Sequence, residues 1–125
     1  MSGEGQRDRG SARDEREAQG PDIGSSLVEV LAALIRGRHL SSVVPIALAR
    51  VERDPLVRAA HFRGDLMRAL MEVPGAFWGR HALLYDRYRQ ALRRSAALRR
   101  RLPVEERMRF WSPLPAPDAH GDVAE

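Results

Sequence analysis

The sequence predicts an all-α protein, a compact bundle of about four to five short helices with disordered N- and C-terminal tails. Three observations predict it. Apolar residues recur at helical spacing through the middle of the chain, no segment sustains the period-two alternation of a half-buried strand, and the ends read as tails, the first mixed-charge and nearly free of large apolar residues, the second Pro-rich. The boundaries that follow are a mixed-charge tail over residues 1–24, a helical domain over 25–111 and a Pro-rich tail over 112–125. Arg13 to Ala18 could form a transient helical turn within the first tail, and Pro113, Pro115 and Pro117 stand at alternate positions in the second.

Each element has its own signals. Leu27, Val30, Leu31, Leu34 and Ile35 fall on one helical face, with Ser25 or Ser26 to cap the start and Gly37 to stop the helix. Ser41 or Ser42 can cap a second helix with Val44, Ala47, Leu48 and Val51 on its apolar face. Pro45 is tolerated there if it lies in the first turn, and Asp54-Pro55 ends the helix. Asp65 can cap a third, short helix carrying Leu66, Met67, Leu70 and Met71. Pro74 suits the first position of a fourth, which bears Phe77 and Trp78 and is interrupted by Gly79. The last and longest helix runs from about Ala82 to Arg101, with Leu84, Tyr88, Ala91, Leu92, Leu98 and Leu102 on one face and arginines on the other.

A chain of 125 residues forms one domain at most, and without its polar ends roughly ninety residues remain to build a small core. No apolar run approaches the roughly 20 residues that span a bilayer, so no membrane association is expected. The segment Met1-Ser2-Gly3-Glu4-Gly5-Gln6 has neither an early positive cluster nor an apolar stretch, and cytoplasmic residence is the expectation. With no cysteine, disulfide and thiolate chemistry are excluded.

The net charge is +4 and the pI about 10.8, values that suggest an anionic partner. All 21 cationic residues are arginine, which inflates the pI because arginine stays protonated. The distribution says more: residues 80–110 hold ten arginines against Asp86, Glu105 and Glu106, a balance of +7, while residues 1–22 sum to −2 and 111–125 to −3.

Residue patterns argue against catalysis. His39, His61, His81 and His120 never stand three or four residues apart, and no HExxH motif exists, so no metal is expected. Ser41, Ser42, Ser95 and Ser112 lie in no GxSxG elbow, and there is no Gly-rich phosphate loop. No cofactor and no enzymatic activity are expected. Asp65 reads as a structural cap that could also meet a partner's basic groove. Phe77 and Trp78 read as core anchors rather than a stacking platform. Arg93-Arg94 and Arg99-Arg100-Arg101 read as a solvated face, with a phosphate track as the competing reading.

The succession Gly37-Arg38-His39-Leu40-Ser41, Val44-Pro45-Ile46-Ala47-Leu48, Asp54-Pro55-Leu56, Gly64-Asp65-Leu66-Met67 and Val73-Pro74-Gly75-Ala76-Phe77-Trp78 resembles the small helical immunity proteins of bacterial contact-dependent growth inhibition systems. The likeness covers roughly residues 27 to 95. Arg63 stands where that run has proline before Gly-Asp, and His61-Phe62 where it has an aromatic pair. The resemblance implies a non-catalytic protein that binds a cognate toxin domain and blocks it. His61, Phe62, Arg63 and Asp65 are its candidate partner-binding residues, and Asp65, Phe77 and Trp78 its structural ones. The alternative expectation is a basic helical module that binds nucleic acid through the Arg-rich last helix.

Overall fold

Local signals and apolar spacing convert this sequence into helices that pack around one core. The computed structural model describes residues 26–117, and among them six helices follow in order. These are α1 (Leu27–Arg36), α2 (Leu40–Arg53), α3 (Asp65–Met71), α4 (Gly75–Gly79), α5 (Ala82–Arg99) and α6 (Val104–Phe110). The all-α class is as expected; the one β-type pairing among the described residues is an isolated bridge between Arg58 and Arg63. The expected tail over 1–24, the alternative cap Ser25, His120 and residues 118–125 of the second tail lie outside the described residues.

α1 begins and ends where its caps dictate. The Ser26 hydroxyl accepts from the Glu29 amide at 3.3 Å. Gly37 adopts φ +68°, so that the Gly37 and Arg38 amides reach back to the carbonyls of Leu34 and Ala33 at 3.1 and 2.9 Å. That pair of bonds is the Schellman ending, which needs a left-handed residue and hence favours glycine.

α2 departs from its expected start. The helix begins at Leu40 after His39, whose left-handed backbone (φ +54°) aims its carbonyl at the amides of Ser42 and Val43, at 2.9 and 2.8 Å. Neither Ser41 nor Ser42 caps it. Pro45 consequently sits in the second turn, where its missing N–H deprives the Ser41 carbonyl of an intrahelical donor.

α1 packs against α2 and α3, α2 also against α3 and α5, and α4 against α5. Leu31, Leu48, Leu66, Met67, Leu70 and Phe110 are the largest fully buried apolar residues. Phe77 and Trp78 join this core as expected: Phe77 meets Trp78 edge-on at 5.5 Å, and Trp78 stacks on Tyr88 of α5 at 4.6 Å and 19°. On the outside, Glu52 receives a two-pronged bond from Arg87, at 2.8 and 2.9 Å, which ties α2 to α5.

The sixth helix has no counterpart among the expected elements. α6 turns back so that Phe110 is fully buried, and Arg68 of α3 caps its end by donating to the carbonyls of Phe110 and Ser112 at 2.7 and 3.0 Å. The Pro-rich segment expected to be without structure from residue 112 runs along the domain as far as Pro117. Leu114 packs against the core, and the Pro115 carbonyl lies 2.8 Å from His61 Nε2.

Candidate functional site

The segment between α2 and α3 is shaped by one buried carboxylate. Asp65 is 0% exposed. Its Oδ1 accepts from the Ala59 amide at 2.7 Å, while Oδ2 accepts from Ala60 at 2.9 Å, His61 at 2.7 Å and, more weakly, Phe62 at 3.4 Å. Four amides that no helix or sheet would satisfy converge on one anion. The expectation that Asp65 caps its own helix is therefore corrected: Gly64 holds the cap position and Asp65 is the first residue of α3. The carboxylate turns back to the preceding loop because four charge-assisted bonds and the positive helix end favour that arrangement and offset the cost of taking the carboxylate out of water.

Gly64 makes this turn possible. Its φ is +90°, its amide donates to the Val57 carbonyl at 3.2 Å, and it packs directly against Phe110. The loop is thereby closed at its base by Gly64 and held from below by Asp65. Its exposed side chains are presented on a backbone already held by these bonds.

Beside this loop lies a notch of about 250 Å³, lined by Arg58, His61, Phe62, Arg63, Glu106 and Arg109. The Phe62 ring is 5% exposed and meets Phe110 edge-on at 6.4 Å, so it forms the floor rather than a free stacking surface. Three guanidiniums face a single carboxylate there. Arg63 Nη1 stands 3.6 Å from Glu106 Oε1, an ion pair too long to be a hydrogen bond, and that oxygen is buried with no hydrogen-bond donor. Neither Arg58 nor Arg109 is paired with a carboxylate among the described residues. The notch is a cationic concavity.

Of the candidate partner-binding residues, His61, Phe62 and Arg63 come together at the notch. Asp65 lies beneath them, buried, and shapes the site without reaching its surface. Phe77 and Trp78 belong to the α4–α5 packing and do not line it. Sequence reasoning missed Arg58, Glu106 and Arg109. A signal for the latter two existed in Pro103 followed by Glu105-Glu106, a helix-start pattern.

The arginines of α5 divide into two sets. Arg87 bonds Glu52, and that bond holds the Glu52 carboxyl below the usual carboxylate range and raises the Arg87 guanidinium. Arg94 donates to the Glu52 carbonyl at 3.0 Å, satisfying one of the last carbonyls of α2. Arg99 lies over the Phe110 ring at 4.3 Å with its Nε buried and unpartnered, and burial lowers its pKa. Arg89, Arg93, Arg100 and Arg101 remain exposed. The expected uniform basic face is thus partly structural.

Among the described residues no group of three or more His, Asp or Glu side chains is arranged to hold a metal ion, and no helix is long and apolar enough to cross a membrane. The chain matches no protein-family description, no curated protein and no solved structure.

Proposed function

We propose that this protein is a non-catalytic binding module that neutralises a cognate toxin domain by stoichiometric association, as the immunity proteins it resembles do. The observation that carries the reading is the Asp65 clamp. A fully buried carboxylate serving four amides of a surface loop fixes the shape of that loop, and the side chains so presented surround a cationic notch. Preorganisation of this kind favours recognition because little ordering entropy is lost on association. Specificity then comes from the charge pattern offered to the partner.

The nucleic-acid reading has less support. Arg87, Arg94 and Arg99 are engaged within the domain, which shortens any phosphate track along α5. Phe62 is buried beneath the notch and cannot stack on a base.

The test is growth protection. The reading requires a neighbouring gene for a large secreted protein with a variable C-terminal domain. That domain, expressed alone, arrests growth, and co-expression of the present chain restores it. Failure to protect against the domain encoded beside it contradicts the reading.

A further inference from the structure

α6 carries an apolar stripe that the fold leaves uncovered. Val104, Met108 and Trp111 recur at i, i+4 and i+7 and are 55%, 69% and 56% exposed, while Phe110, in the same helix, is fully buried. A seven-residue helix that, with the Trp111 that caps its end, leaves three large apolar side chains on solvent is unusual for a surface element, and Met, Trp and Arg are the residue types that concentrate at interface centres. Leu83, also exposed, stands apart from this stripe on α5.

Trp111 is exposed but not free. The guanidinium carbons of Arg68 and Arg99 each lie 5.5 Å from its ring centre, and Phe110 meets it edge-on at 4.9 Å. Such a ring is a preset anchor, with little rotamer freedom to lose on binding. One position beyond Met108, about 100° round the helix, Arg109 faces the notch that Arg58 and Arg63 also line. An apolar anchor and a cationic concavity therefore share one short helix.

We infer that the outer face of α6, together with the adjoining notch, is the docking surface for a partner protein. The segment it takes is acidic and amphipathic: an apolar side chain covers Met108 and Trp111 while a carboxylate enters among Arg58, Arg63 and Arg109. Charge complementarity chooses this occupant. A second copy of this chain would bring the same arginines, including Arg107 and Arg109, face to face across a two-fold contact, and like charges so placed are repulsive. A notch of about 250 Å³ has the capacity of one or two side chains, not of a duplex backbone. This inference rests on reading the protein as a protein-binding module, but not on the partner being a toxin.

The experiment uses the full chain and a fluorescent amphipathic peptide whose leucine stripe is flanked by glutamates. A second peptide has glutamine for every glutamate, and a labelled random single-stranded RNA is the third probe. The acidic peptide binds and quenches or shifts Trp111 emission. The glutamine peptide binds at least about fivefold more weakly, and Met108→Ala and Arg109→Glu each weaken the acidic peptide by about tenfold or more. Arg109→Gln serves if the charge reversal disturbs the fold, with a smaller loss expected. The inference is overturned if the acidic peptide does not bind, if both peptides bind equally, if the variants bind as wild type, or if RNA binds more tightly than the acidic peptide. It is overturned equally if sedimentation shows a dimer of this chain that covers Trp111. Protection separates this inference from the functional reading: a variant that loses the peptide yet still protects cells places the toxin elsewhere, while wild type that binds peptide but never protects contradicts neutralisation alone.

Discussion

Gly64 and Phe110 touch so closely that a Cβ on the glycine would stand 2.8 Å from Phe110 Cδ1 and 3.3 Å from a Leu56 methyl. This contact seats α6 against the base of the 58–63 loop and so assembles the notch from two segments distant in sequence. Gly64→Ala meets two penalties, a left-handed backbone at φ +90° and the crowding of a fully buried ring. Together these cost roughly 2 to 4 kcal/mol, read as a lower urea midpoint. An unchanged midpoint would mean that α6 does not pack as described.

Asp65→Ala exposes the clamp. A lost helix cap costs about 1 kcal/mol. Here the amides of Ala59, Ala60, His61 and Phe62 lose a buried anionic acceptor together, and the expected cost rises to roughly 3 to 5 kcal/mol. Amide hydrogen exchange at Ala59, Ala60 and His61 accelerates in any variant that remains folded, Asp65→Asn being the milder choice. Wild-type protection factors at those amides in Asp65→Asn argue against the clamp.

The two tryptophans should behave oppositely. Trp78, 8% exposed and stacked on Tyr88, loses about 3 to 5 kcal/mol of stability on substitution by alanine. Trp111→Ala stays within about 1 kcal/mol, since it forgoes only cation–π and edge contacts at an exposed position. Thermal midpoints of the two variants, measured side by side, decide the matter; equal losses contradict the burial pattern.

Glu52 and Arg87 make stability depend on pH in a defined direction. The Glu52 carboxyl is held below its ordinary value chiefly by the Arg87 hydrogen bond, so its contribution is complete above the ordinary carboxylate range. It is lost as pH falls through the lower, folded-state value. Both side chains are more than a third exposed, which limits the pair to about 1 kcal/mol at most. Glu52→Gln is thus slightly less stable than wild type at pH 7, and the difference closes on strong acidification. A difference that persists at pH 2 has some other origin.

What could be read from the residues was whatever depended on near neighbours. Ser26 and Gly37 bracket α1 because each acts within a few residues. Phe77 and Trp78 read correctly as core because adjacent aromatics in a small domain have few other places to go. α2 began earlier than expected because His39 takes a left-handed backbone that side-chain capping rules do not anticipate. The role of Asp65 was hidden because Gly-Asp before an apolar run looks the same whether the carboxylate caps forward or clasps the preceding loop. α6 escaped because it is only seven residues long and its one buried side chain, Phe110, stands off the exposed stripe of Val104, Met108 and Trp111, so that the apolar spacing there does not mark a core-facing helix. The notch could not be read at all, since it exists only where Phe62, Gly64 and Phe110 meet in space.

Calorimetric titration of the full chain against two ligands in one buffer decides whether this protein binds a protein partner rather than nucleic acid. The ligands are the toxin domain encoded beside the chain and a random-sequence DNA duplex, at physiological salt. One-to-one association with the domain is expected in the nanomolar range, and duplex binding no tighter than about micromolar. Replacing the exposed Arg89, Arg93, Arg100 and Arg101 with glutamine leaves both values nearly unchanged. No heat with the domain, together with submicromolar duplex binding that those four substitutions abolish, would contradict it.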